Sequence, residues 1–213
     1  EEWGIGNDTQ IVAYDAQGGQ FASRLWWLAR WLGHEAVAVL DGGWQAWLAR
    51  TQWSSTEDAD RVPGSFRAGT PLAQTVDTPT VLACSGATDT VLVDARAAER
   101  FEGRNEPIDP VAGHIPGALN RPFVDNIGAD GCFKPAAQLR AEFEQLLAGR
   151  APSTVIHHCG SGVSAIPNLL GMEVAGLGRS ALYAGSWSEW CNTPGLPCAQ
   201  SQVAPPAADT TRG

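Results

Sequence analysis

The chain has 213 residues, 44% of them hydrophobic and 17% charged, enough for one large domain or two small ones with an ordered core. Fourteen Lys and Arg against 23 Asp and Glu give a net charge of −9 and a pI near 4.8. A nucleic-acid binder or a protein held on anionic membranes would need basic clusters, so both classes are disfavoured, and no apolar run approaches the roughly 20 residues that cross a bilayer.

In chain order, Ile11–Asp15 reads as a first strand, followed by a Gly-containing loop, a helix and a second strand ending at Asp41-Gly42-Gly43-Trp44-Gln45-Ala46-Trp47. Residues 51–78 are polar, carry Pro63, Gly64, Gly69 and Pro71, lack periodicity and read as a connector. Val91–Asp94, Thr154–His158 and Ser180–Tyr183 are short apolar or β-branched runs suited to buried parallel strands. Between them a helix is expected from Pro135, with Leu139, Phe143, Leu146 and Leu147 on one face. A further helix is expected over about 163–176, and the tail, residues 201–213, is expected to be disordered. Strands alternating with helices indicate an α/β fold with a parallel sheet.

The five cysteines, at 84, 132, 159, 191 and 198, form neither a disulfide framework nor a CxxC metal pattern. A reducing, cytoplasmic setting is the expectation. The chain opens Glu1-Glu2-Trp3 without a Met or a signal peptide, which reads as a fragment or a processed chain.

Residues 11–50 and 155–194 read as two versions of one unit. Asp15 aligns with Cys159, Gly18 with Gly162 and Leu25 with Leu169; after a single one-residue gap, Trp44 meets Trp187 and Trp47 meets Trp190. The expectation is a tandem duplication whose first copy is incomplete, lacking about 65 residues by repeat length.

Cys159 follows a strand and opens Cys159-Gly160-Ser161-Gly162-Val163-Ser164, which leads into a helix. A short glycine-containing turn there can aim successive backbone N–H groups at one point as an anion nest, and the helix N-terminus adds positive potential. Both favour a thiolate, the nucleophilic form of cysteine. The ordinary alternative is a small buried core residue. Asp15 at the repeat-equivalent place argues that this position accepts a polar group.

On these motifs, residues 79–198 resemble the catalytic C-terminal domain of two-domain rhodanese-like sulfurtransferases. Val91-Leu92-Val93-Asp94-Ala95-Arg96, Arg100-Phe101-Glu102-Gly103 and Gly113-His114-Ile115-Pro116-Gly117-Ala118 are similar to three family signatures, in order. Cys159–Ser164 is similar to the six-residue active loop, and Gly185-Ser186-Trp187-Ser188-Glu189-Trp190 to the closing motif. Residues 1–50 resemble the second half of the N-terminal, non-catalytic domain, where an Asp commonly replaces the cysteine. The resemblance implies a three-layer α/β/α fold, with domains 1–50 and 79–200 joined by the connector 51–78.

It also implies ping-pong sulfur transfer. Cys159 takes a sulfane sulfur from a small donor as a persulfide and passes it to cyanide, a small thiol or a reduced thioredoxin-like protein, with no cofactor. The CGSGV-Ser loop resembles that of 3-mercaptopyruvate sulfurtransferases. Thiosulfate-preferring relatives usually carry cations inside the loop, whereas no Lys or Arg lies between 151 and 178 here. Arg100 matches the arginine that holds the donor carboxylate; its ordinary alternative is a solvated helix arginine. A second family arginine falls near Asp109, so Arg104 is the expected substitute. Trp187 and Trp190 are expected beside the loop, with Trp187 in the donor wall and core packing as the alternative. The family's active cleft lies between the two domains.

Asp94, Arg96 and His114 read as structural. His157 and His158 point to opposite sheet faces, so one of them can approach the site, and zinc is not expected. Cys84, Cys132, Cys191 and Cys198 match no signature. Two competing functions remain open. A cysteine phosphatase or arsenate reductase needs a Cys-x5-Arg loop, and position 165 is Ala. A silent binding module would lack the nucleophile that Cys159 supplies.

Overall fold

The computed structural model describes residues 2–51, 53–57 and 60–201. Two parallel sheets organise the chain. The smaller pairs β1 (Ile11–Ala13) with β2 (Val37–Val39). The larger has five strands in the order β3 (Gln74–Val76), β7 (Ala181–Tyr183), β6 (Val155–His158), β4 (Val91–Asp94) and β5 (Leu119–Asn120), all parallel. The helices are α1 (Gln20–Trp31), α2 (Gly43–Thr51), α3 (Thr78–Cys84), α4 (Ala98–Phe101), α5 (Ala136–Leu147), α6 (Ile166–Val174) and α7 (Ser186–Asn192).

The central strands are buried on both faces, which explains why β4 and β6 read as continuous apolar runs. Side chains alternate across them. Val91, Val93 and Val155 pack with Leu139, Phe143, Leu147 and Met172 under α5 and α6. Leu92 and Ile156 pack on the opposite face with Val81, Phe101, Trp187 and Trp190. The result is the expected α/β/α layering. Along α5, Leu139, Phe143 and Leu147 recur at four-residue intervals and all are buried, while Leu146 is half-buried.

The segment 51–78 divides between the two units. Leu72 donates its amide to Arg30 O (2.8 Å) and Gly69 to Leu32 O (2.9 Å), so this part lies along the first unit. Gln74–Val76 instead forms the edge strand of the larger sheet, and Asp77 caps α3 by accepting the Thr80 amide at 3.0 Å. The larger sheet therefore takes one strand from before residue 79. A three-residue strand is too short to register as alternation, so composition alone makes this stretch look like loop. At the other end, Ser201 donates to Glu102 O (3.2 Å), and residues 202–213 of the expected disordered tail lie outside the described residues.

The two units meet through α1 and α6, the helices that follow the Asp15 and Cys159 loops. Trp26, Trp27 and Ala29 share one apolar cluster with Cys159, Ala165, Ile166 and Leu169, so the interface continues the core beneath the cysteine loop. Among the described residues no helix is long and apolar enough to cross a membrane.

Phe143 is fully buried and its ring lies 4.2 Å from the Arg121 guanidinium. Phe143→Ala should lower the unfolding free energy by about 3–5 kcal/mol, read by chemical denaturation. A loss below about 1 kcal/mol would mean that α5 does not seal this face.

Candidate active site

β6 delivers Cys159 to the C-terminal edge of the parallel sheet, where the chain must turn before α6. This is the usual place for ligand chemistry in open α/β sheets. The closing segment grips the loop from below. Cys159 donates its amide to Ser186 Oγ (3.1 Å), and that hydroxyl donates to Tyr183 O (2.9 Å). The Trp187 amide donates to Cys159 O and the Ser188 amide to Gly160 O, both at 2.9 Å. Ser186 adopts a positive φ of 56°, a strained conformation for a residue with a side chain. Gly162 has a φ of 75°, and a Cβ there would fall 2.4 Å from Ala184 O, so only glycine fits.

The first unit shows what a loop of this kind does. Asp15 Oδ1 accepts the amides of Gln17 and Gly19 (both 2.9 Å), and Oδ2 those of Phe21 and Ala22 (both 2.8 Å). Burial pushes the Asp15 carboxyl up, yet the four amides win and hold it below its ordinary value. By the sequence alignment the equivalent amides around Cys159 are those of Ser161, Val163, Ala165 and Ile166. Ile166 donates to Val163 O at 3.2 Å; among the described hydrogen bonds none uses the amides of Ser161, Val163 or Ala165. Gly18 and Gly162 share the left-handed conformation (φ 67° and 75°), and the loops diverge one residue later, where Gly19 stands opposite Val163. The first loop thus supplies its own anion to its amides, whereas the second leaves three of the equivalent amides without a partner among the described hydrogen bonds. Ser161 is exposed, Val163 and Ser164 are half-buried, and Cys159 is only 1% exposed.

A ladder of charge runs from the core to this loop. Asp94 is fully buried and binds the Arg96 guanidinium (Nη2–Oδ2 2.7 Å), which also reaches Gly113 O (2.7 Å) and Glu106 (3.1 Å). Glu106 in turn binds Arg100 through Nη2 (2.7 Å) and Nε (3.1 Å), and Asp109 binds Arg100 Nη2 at 3.2 Å. Burial raises the Glu106 carboxyl, but its hydrogen bonds to Arg100 and to the Asp109 and Ile108 amides together outweigh that and leave it below its ordinary value. A Cβ on Gly160 would lie 3.4 Å from Arg100 Nη1, which places the guanidinium against the loop.

The expected site residues therefore separate. Arg100 meets the Cys159 loop, only 18% exposed, with Nη1 nearest to Gly160. Asp109, at the place of the second family arginine, steadies Arg100 instead. Arg104 does not substitute for the missing cation, because it is half exposed and paired with Glu102 at the surface. Trp187 is fully buried, so it supports the loop and does not line a donor wall: its indole donates to Val111 O (3.0 Å) and its ring lies 4.9 Å from the Arg96 guanidinium. Neither histidine opens to the site. His157 contacts Met172 Sδ at 3.1 Å and burial pushes it down to about 3; His158, 3.8 Å from Asp94, is also lowered, chiefly by burial. The cleft of about 650 Å³ between the units is lined by Gln17, Gly18 and Gly42 on one side and Phe123, Ile127 and Gly128 on the other, and Cys159 does not line it. Ser186 is the residue that sequence reasoning missed. Its one signal is its place in the Gly-Ser-Trp motif, since its partner lies 27 residues away.

A Rhodanese-like domain model matches residues 1–50 and 77–193. The chain is 45% identical over 200 residues to a probable 3-mercaptopyruvate sulfurtransferase of Pseudomonas aeruginosa, covering 93% of this chain and 70% of the relative. It is 36% identical to the human 3-mercaptopyruvate sulfurtransferase and to the mouse thiosulfate sulfurtransferase, covering 88% of this chain and 64% of each relative's length. Among solved structures, SseA from Escherichia coli, described with the rhodanese fold of 3-mercaptopyruvate sulfotransferases, matches with a TM-score of 0.71 at 34% identity. That match covers 87% of this chain and 69% of SseA.

Because the Asp15 carboxyl is lowered on folding, its stabilisation is present above the ordinary value of 3.8 and is lost as the pH falls through the lowered one. Asp15→Asn should therefore be less stable than wild type at neutral pH, and the gap should close below pH 3.8, as denaturant unfolding across pH would show. A gap independent of pH would contradict the amide-held carboxylate.

Proposed function

The chain belongs to the rhodanese-like family of sulfurtransferases, and on that premise we propose that Cys159 carries sulfur as a persulfide, with 3-mercaptopyruvate as the favoured donor. The Cys159 thiolate attacks the donor sulfur. The carbon–sulfur bond breaks, its electron pair passes to carbon as the pyruvate enolate, and a solvent proton completes pyruvate. The terminal sulfur left on Cys159 is anionic, and the amides of the loop are placed to hold it. A nucleophilic acceptor then takes that outer sulfur; with cyanide, thiocyanate leaves and the thiolate returns. A small thiol or a reduced thioredoxin-like protein would serve the same step.

The observation that carries this reading is the pair of loops: one closes four amides on its own carboxylate, while the other presents a cysteine and leaves amides open. Donor choice rests on charge. Arg100 holds its guanidinium beside Gly160, where Glu106 and Asp109 already neutralise it in part, and the Arg24 guanidinium at the same loop is engaged by Gly162 O. Such a site suits a single carboxylate better than the dianion thiosulfate. Thiosulfate is the second donor, favoured by the mouse relative's activity. We read the two units as a tandem duplication, supported by the shared strand–helix–strand–helix order of β1–α2 and β6–α7. A cytoplasmic setting is proposed from the unpaired cysteines.

Thiocyanate formation should be faster with 3-mercaptopyruvate than with thiosulfate, by at least about tenfold in kcat/KM, and should vanish in Cys159→Ser. Faster transfer from thiosulfate would overturn the donor assignment, and an active Cys159→Ser would overturn the nucleophile.

A further inference from the structure

Among the described residues, the first unit reaches the cysteine loop through one polar side chain. Arg24, on α1, donates from Nη1 to Gly162 O at 3.1 Å across a sequence separation of 138 residues. Its guanidinium lies 5.6 Å from the ring of Trp27 on the same helix, and Trp27 is buried against the loop in the shared core. Arg24 is half-buried and therefore partly shielded from water, which strengthens a charge-assisted hydrogen bond.

The bonded carbonyl belongs to the peptide that joins Gly162 to Val163. In a trans peptide the carbonyl and the N–H point in opposite directions, so holding Gly162 O towards α1 turns the Val163 amide away from it. In the first unit the equivalent amide, Gly19 N, is one of the four that bind the Asp15 carboxylate. The Val163 amide has no partner among the described hydrogen bonds. Gly162 has no side chain to limit rotation of this peptide, and the Arg24 hydrogen bond restrains it from outside the loop.

We propose that Arg24 is a positioning residue for sulfur transfer: it fixes the Gly162–Val163 peptide so that the Val163 amide faces the Cys159 sulfur, and it polarises that amide. The inference rests on the sulfur-transfer reading and adds to it a role for the first unit. Arg24 touches neither donor nor acceptor. Its effect is felt where negative charge sits on sulfur, and donor affinity is left to Arg100. The change falls on kcat and not on KM.

The test measures persulfide formation in single turnover, together with steady-state kcat and KM, for wild type, Arg24→Lys, Arg24→Gln and Arg24→Ala of the 213-residue chain. Thermal unfolding establishes that each variant is folded. Arg24→Ala should slow persulfide formation at saturating donor by about 10- to 100-fold, with KM within about threefold of wild type. Arg24→Lys, which keeps a charged donor, should recover most of the rate, and Arg24→Gln, which keeps a neutral one, should fall between. A wild-type rate in Arg24→Ala overturns the proposal, as does a loss confined to KM. So does a rate in Arg24→Lys as low as in Arg24→Ala. An inactive wild type with either donor would overturn the sulfur-transfer reading itself, which separates the two failures.

Discussion

A loop that turns its amides towards one point must turn its carbonyls the other way, and those carbonyls need donors of their own. The architecture around Cys159 follows from that constraint. Cys159 O is met by the Trp187 amide, Gly160 O by the Ser188 amide and Gly162 O by Arg24. Two of the three donors come from the first turn of α7, beside the strained Ser186. The third comes from the other unit. The loop's carbonyls are thus satisfied by its surroundings, while the amides of Ser161, Val163 and Ala165 have no partner among the described hydrogen bonds.

The buried charges have a second role. Asp94, Arg96, Glu106, Arg100 and Asp109 alternate in sign from the sheet to the loop, so each desolvated charge has partners and none is left alone. The ladder ends with Arg100 held in one orientation against Gly160. An arginine held in that way has little freedom left, and the two carboxylates neutralise part of its charge. Asp109 steadies this arginine and offsets part of its positive charge. The rigidity and the reduced charge of Arg100 therefore have the same source.

Much of this was legible in the sequence, for a physical reason. The strands β4 and β6 are buried on both faces, so their composition announces them, and the cysteine after β6 sits where the chain has to turn. α5 was visible because a single face carries Leu139, Phe143 and Leu147. β3 was not, since three residues carry no periodicity and only pairing with β7 makes them a strand. Trp187 was identified as near the loop but not as fully buried, because exposure depends on what α7 packs against. Arg24 and Ser186 act through partners 138 and 27 residues away, and no local pattern encodes such contacts. Arg104 shows the converse: charge and proximity in sequence suggested a donor anchor, while the side chain turns to Glu102 at the surface.

The central claim is that sulfur rests on Cys159. Its most direct test is the intact mass of the chain after donor is added without acceptor, followed by peptide mapping. The account predicts a gain of one sulfur atom on the peptide containing Cys159, removed by cyanide and absent in Cys159→Ser. A sulfur atom carried on Cys84, Cys132, Cys191 or Cys198 instead, or no mass gain with either donor, would contradict it.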